Sequence, residues 1–182
     1  MSSPSASAFR ASRAVGAMFF SLFGGAWIGL WSYRAHGFNP ILVALIALAA
    51  LGLFAWALTT YNQNKGAIVD DSDPAKKKAE KVFHLVNAAQ WGLILVVGNV
   101  LNNLGHGDWV LAAVIIIVGL HFLPLARVFH YPIHTYTGLA LVAWGAGYPF
   151  LQSQGAASPV GCLGAGLLLW ASAITGLTIK PF

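Results

Sequence analysis

Residues 40–60 read PILVALIALAALGLFAWALTT, an apolar run in which no side chain is charged. At a rise of about 1.5 Å per residue, a helix of this length crosses a hydrocarbon core of roughly 30 Å. Five further runs also lack Asp, Glu, Lys and Arg and are long enough to cross it. They cover residues 14–33, 82–102, 109–126, 132–151 and 159–179. The sequence therefore predicts an all-α polytopic membrane protein with six transmembrane helices.

The composition leaves little room for anything beyond this bundle. The chain of 182 residues is 58% hydrophobic and only 8% charged, whereas soluble domains carry about 25% charged residues. We expect a single transmembrane domain, 14–180, after a disordered N-terminus that is rich in Ser and Ala, 1–13. Short connections after the first, third and fifth runs predict three antiparallel hairpins. The one long connection is the charged loop 61–81.

The distribution of basic residues predicts the orientation. All ten Lys and Arg residues lie outside the six runs, and the net charge is +5. Six crossings place nine of them on the side of the N-terminus and leave only Arg34 on the other side. Because cytoplasmic segments carry an excess of Lys and Arg, both termini are expected in the cytoplasm. Membrane topology therefore accounts for the positive net charge, and nucleic acid is not expected as a partner.

Two segments suggest contacts with partners. Loop 61–81 mixes five lysines with acidic residues. This mixture favours either a solvated loop that fixes the topology or a docking site for anionic lipid or a protein. The first run carries small residues four positions apart, at Ala17, Ser21, Gly25 and Gly29. Such a ladder lets helices approach closely, either within one chain or in a homo-oligomer.

The third run is the most polar of the six. On a helical wheel, His84, Asn87, Asn99 and Asn102 share one face, and Gln90 lies beside it. Amide side chains are costly against lipid, so this stripe is expected to face the bundle interior or water. It would serve either hydrogen bonds between helices or a solvated pathway.

The fourth run adds a histidine and a proline. Pro124 has no N–H to offer the carbonyl of Leu120, so we expect a kink there. His121 is the deepest ionisable side chain, roughly 9 Å by helical rise from Arg127 at the inner end. Together with the polar residues of the third run it completes the candidate pathway, which comprises His84, Asn87, Gln90, Asn99, Asn102 and His121.

Four histidines fall towards the cytoplasmic side, namely His84, His121, His130 and His134. Imidazoles in one layer can bind a transition metal, and two that face each other can ligate haem. Their spacing matches no known metal signature, so hydrogen-bonded or interfacial histidines are the alternative, and we expect no cofactor. No nucleotide-binding or hydrolase motif occurs, which disfavours an enzyme.

Residues 119–127 read GLHFLPLAR and are followed by Tyr131 and Pro132. This segment resembles a motif of small uncharacterised six-helix bacterial membrane proteins. The resemblance implies a protein of the bacterial cytoplasmic, or inner, membrane. No function comes with it.

Three hypotheses of function follow. The first is a small-solute channel or transporter with a polar pathway along the third and fourth helices, since amides and imidazoles can line a path for neutral solutes. The second is a membrane scaffold or accessory subunit without its own site, favoured by the absence of catalytic motifs. The third is a metal- or haem-binding redox protein that uses the inner histidines. The lack of intramembrane Asp and Glu counts against a carboxylate-driven pump.

Overall fold

The structure, a computed structural model, describes residues 6–67 and 74–179 and is all-helical over them. The prediction of an all-α chain with six long helices is confirmed. Short 3-10 turns follow the second helix and precede the fourth and sixth helices. The six helices are α1 (Ala6–His36), α2 (Pro40–Asn64), α3 (Pro74–Asn103), α4 (Val110–Val128), α5 (Pro132–Leu151) and α6 (Val160–Thr178).

Five of these helices are long and apolar enough to cross a membrane, counted over the described residues. They are α1, α2, α3, α4 and α6. Helix α5 has no charged residue, but its first two turns contain the polar side chains of His134, Thr135 and Thr137. These side chains lower its mean hydropathy and make its start less lipid-like than its centre.

Several helices extend past the predicted runs. Helix α1 already begins at Ala6, so residues 6–13 are helical instead of disordered. Helix α2 continues to Asn64 and α3 begins at Pro74, so helix replaces both ends of the predicted loop 61–81. Lysine, glutamate and alanine favour helix, and proline suits a first turn, which explains the early start of α3. The middle of the loop, with Asp70, Asp71 and Asp73, lies outside the described residues, and so does Lys180.

The sharp turn between α1 and α2 follows from three residues. Gly37 adopts a positive φ of 72° just after α1 ends, a conformation that favours glycine. The side chain of Asn39 accepts hydrogen bonds from the backbone N–H groups of Ile41 and Leu42 at 3.1 and 3.2 Å. Pro40 occupies the first helical position, where no donor is needed. This turn makes α1 and α2 an antiparallel pair.

The helices form a series of neighbours. The most extensive contacts join α1 to α6, α4 to α5 and α1 to α2, and smaller ones join α3 to α4 and α5 to α6. Thus α1, α4, α5 and α6 build the centre, with α2 packed on α1, and α3 packed extensively on α4 alone. The core consists mainly of apolar side chains from these central helices, among them Phe20, Ile115, Phe122, Leu141 and Leu169, and α2 adds Ala57.

Glycines allow two close helix crossings. A Cβ atom on Gly119 would lie 2.7 Å from the carbonyl oxygen of Gly138, and one on Gly138 would lie 2.6 Å from the carbonyl oxygen of Gly119. Between α1 and α6, a Cβ atom on Gly166 would lie 2.7 Å from the carbonyl oxygen of Gly24. Backbone therefore meets backbone at both crossings, as is typical of membrane helices that pack through small residues.

The predicted small-residue ladder of α1 packs inside the chain. Ala17, Ser21 and Gly25 are buried, whereas a Cβ atom added to Gly29 would meet nothing within 4 Å. The indole N–H of Trp170 donates to the backbone carbonyl of Ser21 at 2.9 Å. A homo-oligomer formed through this ladder would have to displace these contacts, and it stays a prediction.

Candidate functional site

The polar stripe of α3 lies on the outside of the bundle. Among the described side chains of α3 none is buried, and His84, Asn99 and Asn102 are exposed. Asn87 donates from Nδ2 to the carbonyl of Phe83 at 2.9 Å, and Asn99 donates to the carbonyl of Leu95 at 2.8 Å. Both amides therefore bond to their own helix instead of lining a cavity between helices.

Gln90 differs from the rest of the candidate pathway. It is half-buried, and the ring contact between Phe83 and Phe129 and the approach of Gly98 to Val110 place its side of α3 against α4. Its Oε1 atom is buried and accepts no hydrogen bond from the described residues. An amide oxygen in this position is costly, because no lipid group can donate to it.

The imidazole rings of His121 and His134 both contact the ring of Phe122. The ring of Phe122 lies 4.9 Å from His121 and 5.7 Å from His134, measured between ring centroids. His134 is also surrounded by Phe20 at 5.7 Å and Tyr131 at 4.8 Å. The start of α5 therefore carries a buried imidazole inside a ring of aromatic side chains.

Arg13 on α1 contacts the same region, where its guanidinium lies over the ring of Tyr131. Its side chain is only 8% exposed, although a charge near the start of a first transmembrane run is usually solvated. Its Nη1 donates to the carbonyl oxygen of Ile179 at 2.6 Å, at the C-terminal end of α6. Its guanidinium carbon lies 4.4 Å from the ring centroid of Phe9 and 5.1 Å from that of Tyr131. Helix dipole and ring quadrupoles thus stabilise the buried charge.

We call Arg13, His121, Tyr131 and His134 the inner polar cluster. Each has at least one buried polar atom without a hydrogen-bond partner among the described residues. Each such atom costs free energy in an apolar interior unless water or a polar ligand satisfies it. The atoms concerned are Arg13 Nε, Tyr131 Oη, His134 Nδ1 and both ring nitrogens of His121.

Tyr131 supplies this cluster with a hydroxyl that stays protonated. Burial raises the pKa of Tyr131 to about 12, and the nearby charge of Arg13 opposes the shift without cancelling it. The phenol is therefore a hydrogen-bond donor at every physiological pH. A Cβ atom on Gly176 would lie 2.7 Å from its oxygen, so α6 needs a glycine here to make room for the hydroxyl.

The four predicted histidine ligands do not come together. His84 and His130 are exposed, His134 is buried, and His121 is half-buried with both ring nitrogens covered. His130 adopts a positive φ of 49° in the turn after α4, a conformation that is uncommon outside glycine. No group of three or more metal-ligating side chains occurs among the described residues. Ligation of haem or a metal by these histidines stays a prediction.

Pro124 lies within a helix that does not end there. Helix α4 continues to Val128, so the proline interrupts one backbone hydrogen bond without stopping the helix. The predicted kink stays a prediction. The backbone N–H groups of Phe129 and Tyr131 donate to the carbonyls of Leu125 and Ala126 at 2.9 and 3.0 Å, and thereby complete the last turn.

Two open grooves of the bundle are apolar. One groove of about 330 Å³ lies between α1 and α2, and its lining includes Leu22, Gly29 and Val43. Another of about 690 Å³ lies between α5 and α6 and includes Trp144, Leu151 and Leu167. Neither is lined by a residue of the candidate pathway. Grooves of this composition suit lipid chains better than polar solutes.

Sequence reasoning missed Arg13 and Tyr131 as parts of a site. In the sequence Arg13 is only a topological charge, and its partner Ile179 is 166 residues away along the chain. The one local signal is the placement of Tyr131 directly before Pro132 and close to His134. No protein-family model, no curated protein and no solved structure matches this chain.

Proposed function

We propose that this chain is a multi-pass protein of the bacterial cytoplasmic membrane, with six crossings and both termini in the cytoplasm. The support is the set of five span-like helices and the excess of basic residues on one side. The nine residues of that side are Arg10, Arg13, Lys65, Lys76, Lys77, Lys78, Lys81, Arg127 and Lys180.

Reporter fusions test this orientation. A fluorescent protein fused after Phe182 is expected to fluoresce, and alkaline phosphatase inserted at Gly37 or at Gln154 is expected to be active outside the cytoplasm. An active phosphatase after Phe182 would contradict the proposed topology.

Within the membrane, the chain acts as a scaffold or accessory subunit that binds another membrane helix. One observation carries this proposal: α3, the most polar of the predicted spans, packs extensively on α4 alone and leaves His84, Asn99 and Asn102 of its polar stripe exposed. Lipid chains cannot form hydrogen bonds, so polar groups on a membrane helix favour contact with a protein surface. A pathway for solutes would instead need these side chains to converge on a common cavity.

The two peripheral helices offer a matched comparison. Leu95 on α3 is 64% exposed and Leu48 on α2 is 67% exposed. Within the two predicted runs, only α3 carries amides and a histidine on its exposed face, whereas the exposed side chains of α2 from Ile41 to Leu58 are apolar. A partner is therefore expected on α3 and lipid on α2.

Site-specific photo-crosslinking in native membranes tests the proposal. A photo-reactive amino acid at Leu95 is expected to yield one discrete protein adduct, whereas the same amino acid at Leu48 is expected to label lipid alone. Lipid labelling alone at both positions would contradict a scaffold role for α3.

A second candidate function is transport of a small polar solute into the bundle from the cytoplasmic side. It is favoured by the unpartnered atoms of Gln90 and of the inner polar cluster. Flux measurements in proteoliposomes with a panel of small neutral solutes test it, and impermeability to the whole panel would contradict it.

An absorption spectrum and metal analysis of the same sample test the redox hypothesis.

A further inference from the structure

The exposed side of α3 has a regular seam. His84, Ala88, Trp91, Leu95 and Asn99 follow one another at intervals of four, three, four and four residues, and all five are exposed. At 100° per residue they occupy an arc of about 80°. The middle of this arc lies roughly a third of a turn away from the side that packs on α4, as marked by Phe83. Alternation of four and three is the spacing with which one helix packs along another.

The seam begins and ends with polar residues, His84 and Asn99, and has the larger side chains of Trp91 and Leu95 in its middle. Ala88 in the seam and Gly92 beside it let another backbone approach, since a Cβ atom on Gly92 would meet nothing within 4 Å. Asn99 lies about one helical turn inside the predicted outer boundary. Its Nδ2 donates to the deeper carbonyl of Leu95 instead of reaching towards water. Its Oδ1 therefore remains free to accept a hydrogen bond on the exposed face.

We propose that the partner of α3 is a second copy of this chain, which forms a parallel two-fold pair with the seams face to face. The proposal rests on the scaffold function and names its partner. Copies of one chain enter the membrane in the same orientation, so the two α3 helices must run parallel. An amide carries both donors and an acceptor, so Asn99 and Asn99 of the other copy satisfy each other across the axis.

The charges at the cytoplasmic end of α3 agree with two-fold symmetry. Glu80 and Lys81 are both exposed, and by helical wheel they flank the seam on opposite sides, about 60° and 40° from its middle. A parallel two-fold pair places the left flank of one helix opposite the right flank of the other. Glu80 of each copy then faces Lys81 of the other, which gives two ion pairs. Lys77 is also exposed and lies near the middle of the seam, so it faces the same residue of the other copy, and the two ion pairs oppose this repulsion.

Disulfide crosslinking in membranes tests the pairing. In a Cys162→Ser background, which has no other cysteine, Leu95→Cys is expected to give a covalent dimer on mild oxidation. Val96→Cys is the matched control, because Val96 is 61% exposed but points about 100° away from the seam. It is expected to remain monomeric. Leu95 is itself 64% exposed, so its replacement leaves the fold intact.

A charge exchange then tests the symmetry. Glu80→Lys on the Leu95→Cys chain is expected to reduce the crosslinked fraction about threefold to tenfold, and adding Lys81→Glu is expected to restore it, because the exchanged charges again face each other. Asn99→Leu is expected to reduce it about threefold or more. Asn103→Leu, off the seam, is expected to leave it unchanged.

The outcomes separate this inference from the scaffold proposal. Failure of Leu95→Cys to form a dimer, together with a photo-adduct at Leu95 to a different protein, would overturn the two-fold pair and leave the scaffold function standing. Failure to form a dimer, together with photo-labelling of lipid alone, would overturn both. A charge exchange that does not restore the dimer would also overturn the two-fold arrangement.

Discussion

Arg13 donates a hydrogen bond of 2.6 Å to the carbonyl oxygen of Ile179, and so joins the start of the first helix to the end of the last. The same guanidinium lies over the rings of Phe9 and Tyr131. A buried cation here completes the capping of α6 and contacts the turn before α5. The residue therefore connects three of the central helices of the bundle.

Arg13→Ala is expected to lower the free energy of unfolding by about 2–4 kcal/mol. It removes a charge-assisted hydrogen bond and two cation–π contacts, and it leaves the Ile179 carbonyl without its donor. Reversible unfolding in mixed micelles measures the change. Arg10→Ala is the matched control, because Arg10 is exposed one turn earlier on the same helix. Equal effects of the two substitutions would contradict a specific role for Arg13.

Gly119→Ala is expected to destabilise the protein by about 1–3 kcal/mol, because its methyl group would collide with the backbone of α5 at Gly138. Gly52→Ala on α2 is the control, since nothing lies within 4 Å of its Cβ position. There the substitution is expected to be neutral or slightly stabilising, because alanine favours helix. Thermal unfolding in detergent distinguishes the two. If Gly119→Ala did not lower the stability, α4 and α5 would be able to move apart at no cost in free energy.

The raised pKa of Tyr131 predicts a loss of stability at high pH. The phenol has a pKa of about 12 in the folded protein and an ordinary value of 10.0 when exposed. Folding therefore favours the protonated form, and its contribution is complete below pH 10 and is lost as the pH rises towards 12. Unfolding of the parent chain and of Tyr131→Phe, followed across this window, should show a steeper decline for the parent. An equal decline in stability with pH for the two proteins would contradict the raised pKa of Tyr131.

His134→Phe is expected to leave the melting temperature unchanged or to raise it. His134 lies among aromatic rings, and its Nδ1 atom has no partner among the described residues, so an apolar ring of similar shape removes an unsatisfied atom. His134→Ala is the control and is expected to cost about 2–4 kcal/mol through the cavity it creates. A marked loss on His134→Phe would indicate instead that the imidazole binds water or a ligand.

The helices are predictable because length and apolarity are local properties. The run 40–60 has no charged residue, and Asn39 and Pro40 mark the start of its helix within a few residues of sequence. Helix extensions are harder to predict, since the charged turns at the start of α3 can be helical outside the membrane as well as in it. A hydropathy pattern reports what lipid tolerates, and it does not mark where a helix ends in water.

The candidate site is less predictable, because a helical wheel shows which residues share a face but not which neighbour covers that face. Asn99 and Gln90 belong to the same polar helix, yet Asn99 is exposed and Gln90 packs towards α4. The role of Arg13 depends on a contact that spans 166 positions. The depth of His121 follows from its place in the fourth run, while its proximity to His134 depends on how α4 crosses α5.

The pairing of α1 with α6 has a consequence for biosynthesis. During translation, α1 is synthesised well before α6, so the face of α1 that carries Gly24 lacks its neighbour until α6 has been made. Until then the guanidinium of Arg13 lacks the Ile179 carbonyl that accepts its hydrogen bond. The central packing of α1 against α6 is therefore completed only after the helices between them have been made, and chains that stall before α6 should lack this packing and be the ones that quality control removes.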